Sequence, residues 1–285
     1  MKLVSSAKLR KAQNAIEAMR PYQEQLQGIL ASLQGGMALS SSKMAQNEDD
    51  KAQMGVSSLN LGKNKDERKT IVAIASNSSL CGGFNANAIA KVRAIRRPGD
   101  TVYAIGRKMA DAMRKEGFAS PEDFSALSEH PSYGPAAALV EKLVADVEAG
   151  RTGAVVLVYN HFVSTARQEP VVEVLMQRES PDQVGGDRGA EERDSSPAPS
   201  YIAPLLEPSR AALLEALVPK TRKLKLYAAL LDSAAAEHAA RTVAMQTATD
   251  NAENLLAELT LQYNKGRQQK ITSEILDLAG GQAEN

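Results

Sequence analysis

Between Lys220 and Ala279 the chain contains no proline and a single glycine, Gly266, so nothing there halts a helix once it has begun. An interior glycine costs only about 1 kcal/mol against alanine. Within this stretch Met245, Ala248, Ala252, Leu255, Leu259 and Tyr263 recur in steps of three and four, with Asp250, Asn251, Asn254 and Glu258 between them. That spacing predicts one narrow apolar seam on a long rod. Pro219 stands where a helix can begin, and Gly280-Gly281 where one can stop. At about 1.5 Å per residue such a rod measures roughly 90 Å, wider than a small domain. The seam must therefore be covered by another helix of this chain or by another protein.

The other end of the chain reads the same way. Leu3, Ala7, Ile16, Met19, Leu26, Leu30 and Leu33 fall at mostly helical spacing, with Lys2, Lys8, Arg10, Lys11 and Arg20 off the seam and Pro21 as a possible kink. The pattern resumes past Gly35-Gly36 and closes near Gly62, which bounds an N-terminal helical segment at 1–62. Two unpartnered amphipathic helices at opposite ends of one chain most simply pair antiparallel.

The middle is different text. Thr70 to Ser76, Thr101 to Gly106 and Ala154 to Tyr159 are short β-branched apolar runs, as expected of strands covered on both faces. Helical stretches separate them at Asn85–Arg97, Arg107–Glu116 and Ala136–Glu148. Strand alternating with helix predicts a Rossmann-like, mostly parallel, three-layer α/β domain over 70–206. Val163 to Met176 adds an edge-like strand broken at Pro170, and Tyr201 to Leu206 a possible last one. Residues 177–200 are rich in Gly, Pro, Ser and acids and read as a flexible acidic insertion. A C-terminal helical segment over 209–285 completes the division.

Composition narrows the functions available. Thirty-four Lys and Arg balance thirty-four Asp and Glu, so no global field favours nucleic acid. The single cysteine, Cys81, excludes an internal disulfide and a cysteine metal cluster. No apolar run is long enough to cross a bilayer, and a reducing compartment is the default. The turn Leu80-Cys81-Gly82-Gly83-Phe84 follows the first strand, where phosphate-binding loops sit, yet it matches neither the dinucleotide nor the P-loop pattern. A tight turn is favoured over a nucleotide site, and an inert thiol over a nucleophile, since Cys81 has no neighbouring His or second Cys. His130, His161 and His238 share no metal-ligand spacing. The cluster Lys220, Arg222, Lys223 and Lys225 at the rod's base suits an anionic surface or acidic loops, against the alternative of a solvated face.

Three blocks carry a resemblance. Glu237-His238-Ala239-Ala240-Arg241, Ala248-Thr249-Asp250-Asn251-Ala252, Tyr263-Asn264-Lys265-Gly266-Arg267-Gln268 and Ile271-Thr272-Ser273-Glu274-Ile275 resemble the C-terminal signature of the gamma subunit of F-type ATP synthases. Met1 to Gln13 is similar to the N-terminal helix of that family, and Leu80 to Asn85 to its first loop. The resemblance implies a central rotor stalk whose helices enter the hexamer of alpha and beta subunits, while the α/β part meets the epsilon subunit and the membrane c-ring. One copy per complex, no cofactor and no catalysis by this subunit are implied, with a place on the cytoplasmic face of a bacterial inner membrane. By motif, Arg267, Gln268 and Thr272 correspond to residues that hydrogen-bond beta-subunit loops. Arg241 and Met1 correspond to coupling positions near the hexamer's lower rim.

Two departures from the family pattern stand out. About twenty residues that would precede Met1, some 30 Å of helix at ~1.5 Å per residue, are expected upstream. Without them the upper shaft is one helix unpaired by its own chain. The 177–200 insertion is longer and more acidic than usual and holds no cysteine pair, so a thiol switch is not expected. Two readings outside the family compete: a free-standing α/β enzyme with helical arms and a coiled-coil adaptor. Ser76, Asn77, Asn160 and His161 at the strand ends are too scattered for a catalytic triad. An adaptor would differ in what co-purifies with it.

Overall fold

The computed structural model describes residues 2–34, 68–118, 120–178, 207 and 209–282. The expected continuation of the N-terminal pattern past Gly35, the acidic insertion at 179–200 and the possible strand at Tyr201–Leu206 lie outside the described residues.

Four strands form one sheet in the order β2-β1-β3-β4, with β1 Lys69–Ile74, β2 Thr101–Ile105, β3 Ala154–Phe162 and β4 Gln168–Gln177. The first three are parallel, and β4 is antiparallel to β3. The continuous apolar runs follow from burial on both faces. Val72 and Ile74 of β1 point to one side with Tyr103, Ile105, Val155 and Leu157. Ile71, Ala73 and Ala75 point to the other with Val102, Ala104, Val156 and Val158.

Helices α2 Phe84–Ile95 and α3 Arg107–Lys115 cover the second face through Ala88, Val92, Met109 and Met113. A short α4, Ser125–Glu129, and α5, Tyr133–Glu148, lie on the first, where Leu127, Leu139, Val140 and Leu143 are buried. The last helix, α6 Arg210–Gln282, lies on the same face and buries Leu226, Ala229 and Leu230 there. The sheet is therefore sandwiched, and part of its cover is the base of the rod itself.

Helix α1, Lys2–Gln34, runs antiparallel to α6: Lys2 Nζ donates to Gln246 Oε1, and further along Leu9 packs on Ala239 and Ala235. Small residues at 234–236, 239 and 240 let the two backbones approach, and Ser5, Leu26 and Leu33 are buried on the α1 side. Pro21 lies on the exposed side and does not interrupt the helix.

Several expected boundaries are corrected. The rod does not begin at Pro219. It begins nine residues earlier, where Ser209 Oγ accepts from the Ala212 N–H at 3.2 Å as an N-cap. Pro219 is tolerated inside because it and Glu215, whose carbonyl loses its partner, are on the solvent side. Gly280-Gly281 does not stop the helix, which continues to Gln282. The edge strand begins at Gln168 rather than Val163, after a tight reversal in which Ser164 and Arg167 exchange backbone hydrogen bonds. It is not broken at Pro170, which pairs opposite Asn160. Among the described residues β4 is an edge strand, so a missing N–H is accommodated there.

The seam is the largest correction. The half covered within this chain lies below it, from Leu224 to Ala240. Of the residues read as the seam only Met245 is half-buried, and every described side chain from Thr247 onward is exposed, Leu255 to 55% and Tyr263 to 71%. The reason is geometric: the described part of α1 begins at the level of Gln246, so among the described residues none lies on the helix beyond it.

Candidate functional site: the junction of turn and shaft, and the bare helix

The turn after β1 is built to meet the shaft. Leu80 is held at φ 67° and Gly82 at φ 56°, which folds 77–83 back on itself and leaves the Leu80 side chain 60% exposed at the tip. The inside of the turn is closed by polar bonds. Asn85 Oδ1 accepts from the Ser76 N–H at 3.0 Å, Asn85 Nδ2 donates to the Cys81 sulfur at 3.2 Å, and Ser76 Oγ donates to Ser78 O at 2.6 Å. Cys81 is buried with Phe84 against Ala236 and Ala240 of α6. This matches the expectation of a buried thiol.

Arg241 projects from α6 onto this turn. Its Nη2 donates to Ser78 Oγ at 2.7 Å and lies 2.7 Å from Glu237 Oε1 one helical turn below. Both side chains are nearly buried, at 12% and 11% exposure. Burial holds the Glu237 carboxyl above the ordinary carboxylate range, with the Arg241 and Lys8 charges opposing it. His238 moves the other way, down to about 4, mainly through burial and then through Arg241 and Lys8. A neutral imidazole beside a fixed guanidinium is consistent with Arg241 Nη1 lying 3.5 Å from His238 Nδ1. The whole is a small cationic junction where the turn of the sheet, α1 and α6 converge.

Arg267, Gln268 and Thr272 sit elsewhere, some 39 Å up the same helix at about 1.5 Å per residue. All three are exposed, and Thr272 Oγ1 merely donates to Gln268 O at 2.9 Å within the helix. Among the described residues their side chains reach no other element. The structure thus keeps Arg241 apart from this trio, and Met1 lies outside the described residues.

The strand-end residues are engaged in holding the fold. Asn77 caps α3 by accepting from the Arg107 N–H at 3.0 Å, Asn160 Nδ2 donates to Phe84 O at 3.0 Å, and His161 Nδ1 meets Asp232 Oδ2 at 2.5 Å. No nucleophile–base pair forms among them. Among the described residues no cluster of three His, Cys, Asp or Glu could hold a metal. At the rod's base two of the four cations are occupied within the chain: Lys223 pairs with Glu141 at 2.5 Å, and Lys225 Nζ donates to Val174 O at 2.8 Å. Sequence reasoning missed Ser78 and Asp232 as shaft contacts, because each is defined by a partner far away in the chain.

Comparison with known proteins agrees with this geometry. A family model described as ATP synthase matches residues 1–283. An ATP synthase gamma chain of Phocaeicola vulgatus is 41% identical over 288 residues, covering 99% of this chain and 91% of the relative. Among solved structures, a chain of the Euglena gracilis mitochondrial ATP synthase, in an assembly of OSCP, F1 and c-ring, superposes with a TM-score of 0.60 at 19% identity. It covers 98% of this chain and 94% of its own length. A chain from the rotor of the same enzyme gives 0.57 over 93% and 99% at the same identity. At that identity the likeness concerns the fold.

Proposed function

Because this chain belongs to the ATP synthase gamma-chain family, we propose that it is the central rotor stalk of an F-type ATP synthase. It is a non-catalytic component of an ATPase complex; the nucleotide sites belong to its beta-subunit partners. The observation that carries this reading is the bare helix. Between Gln246 and Gln282 about 54 Å of α6, at ~1.5 Å per residue, stands clear of the other described residues with apolar side chains exposed along it. An isolated helix with that seam needs a sleeve, and the alpha–beta hexamer is the sleeve the family supplies.

A rotor must be stiff and lopsided. Stiffness comes from the α1–α6 pair and from packing its base into the sheet's core at Leu226 and Leu230. Asymmetry comes from hanging the α/β unit on one side of the shaft. As it turns, unlike faces press in sequence on three identical catalytic subunits and bias each toward a different nucleotide affinity. Arg267, Gln268 and Thr272 are exposed where they could hydrogen-bond beta-subunit loops, and Arg241 with Met1 would act lower, near the hexamer's rim. The base of α6 and the α/β unit face the epsilon subunit and c-ring, with one copy per complex. No helix among the described residues is long and apolar enough to cross a membrane; the place the family gives such a chain is peripheral, on the cytoplasmic face of a bacterial inner membrane.

The test is co-expression of this chain with the cognate alpha and beta subunits, followed by observation of single complexes tethered through beta with a probe on the α/β unit. Stepwise rotation driven by ATP is the expected result. Failure to co-purify with alpha and beta, or nucleotide hydrolysis by the purified chain alone, would refute the rotor reading.

A further inference from the structure

The end of β3 grips the shaft at a point that none of the family-matched contacts involves. Asp232 of α6, 16% exposed, accepts a hydrogen bond on Oδ1 from the Phe162 backbone N–H at 3.0 Å and meets His161 Nδ1 on Oδ2 at 2.5 Å. The half-buried Phe162 ring packs into the shaft beside them. It packs on Ala236, Ala240, Cys81 and Phe84 to one side and on Leu9, Ala235 and Ala239 to the other. One carboxylate thus pins the backbone of a strand whose side chain sits where α1, α6 and the 80–84 turn converge.

We propose that Asp232 is a positioning residue of the rotor, a latch that fixes the rotational setting of the shaft against the sheet so that torque crosses between them at the end of β3. The proposal rests on the rotor reading above and deepens it. The physical case is one of direction. Apolar packing along Leu226 and Leu230 resists separation of shaft and sheet, but it is non-directional and tolerates sliding. A hydrogen bond from a backbone N–H to a carboxylate weakens steeply with angle, so it resists the twist that packing allows. Charge assistance from His161 strengthens the grip further.

The same cluster gives the latch a pH signature. His161 faces Asp232 from α6 and Glu169 and Glu173 from β4; Glu169 is paired with Arg167 at 2.5 Å, and Glu173 with Lys225 at 3.4 Å and the Tyr159 hydroxyl at 3.1 Å. The bond to Asp232 raises the imidazole above its usual 6.5, with burial opposing. A raised value in the folded protein means that the charged latch is complete below pH 6.5 and loosens as pH climbs through the raised value.

Hydrogen exchange at the Phe162 amide in the assembled complex, corrected for the intrinsic rate, reads the latch directly, and the ratio of proton pumping to ATP hydrolysis reads its consequence. His161 is half exposed, so His161→Gln and His161→Arg leave the core intact. At a pH near 6, His161→Gln should exchange about threefold to tenfold faster than the unmodified chain, the range one hydrogen bond supplies. It should also lower the pumping ratio. The unmodified chain should approach it near pH 9, while His161→Arg stays protected and coupled at both. Asp232→Ala, which leaves the Phe162 N–H without its acceptor, should exchange fast throughout. The same exchange profile in all four, or altered exchange with an unaltered pumping ratio, overturns the latch and leaves the rotor reading standing. Failure of the unmodified chain to assemble would instead overturn the rotor reading.

Discussion

Replacing Gly106 by alanine should destabilise this protein far more than the gain of a single methyl group suggests. Gly106 joins β2 to α3 at φ 102° and ψ 138°, a conformation open essentially to glycine alone. A Cβ built there would lie 2.1 Å from the Ala75 carbonyl oxygen and 2.8 Å from its carbon, both backbone atoms of the segment that follows β1. Neither can swing aside as a side chain would. Relief requires a shift of the order of 1 Å, which strains three bonds that hold the segment: Ala75 N–H to Ile105 O, Lys108 N–H to Ser76 O, and Arg107 N–H to Asn77 Oδ1. A forbidden conformation costs about 1–3 kcal/mol and overpacking about 1–3 more, so we expect a loss of about 4 kcal/mol. That is a large share of the ~5–15 kcal/mol that holds a typical domain. In a unit of this size the melting temperature should fall by about 8–15 °C.

The assay is thermal and urea unfolding followed by circular dichroism, with Gly134→Ala as a control. Gly134 lies exposed in the first turn of α5 with nothing within 4 Å of a new Cβ, so the same chemical change there should be neutral or stabilise by up to ~1 kcal/mol. A Gly106→Ala protein that melts within about 2 °C of the unmodified chain would refute the steric argument.

Other expected outcomes concern the shaft. The double variant Arg267→Ala, Gln268→Ala should weaken coupling without abolishing ATP hydrolysis by the assembled complex. Because both side chains are exposed and among the described residues touch no other element, the stability of the chain itself should change by no more than about 0.5 kcal/mol; unaltered proton pumping would count against their role. His238 contributes a pH dependence of defined sign. Its folded-state value lies near 4, below the ordinary 6.5, so the stability it confers is full above 6.5 and is lost as pH falls toward 4. Urea midpoints measured across that window should fall with acidification less steeply in His238→Gln than in the unmodified chain.

Where the sequence read correctly, the signal was local and repeated. The β-branched runs of β1, β2 and β3 stand out because burial on both faces forbids polar residues along the whole strand, and the heptads of α6 stand out because a long helix must keep one stripe apolar wherever it is to be covered. Where it read incorrectly, a local rule met a tertiary exception. Pro219 looks like a helix start, yet the structure puts the cap at Ser209 because the proline happens to face water. Pro170 looks like a strand break, yet it sits in a strand that lies at the sheet's edge among the described residues. The short helix α4, Ser125–Glu129, carries no periodicity in five residues and is held by Leu127 in the core and by Ser128 Oγ donating to Ala75 O at 2.7 Å.

The junction shows the division most sharply. That Arg241, Glu237 and His238 share a helix, and that Cys81 lies in a glycine turn, is written in order along the chain. That Arg241 reaches Ser78, or Asp232 the end of β3, is decided by how the base of α6 beds into the sheet and how far α1 climbs beside it. Periodicity reports which stripe of a helix is apolar and leaves open what covers it, because burial is a property of two surfaces and the chain order specifies only one. For the lower part of that stripe the partner is the chain's own first helix and sheet; for the part above Gln246 the described residues supply none.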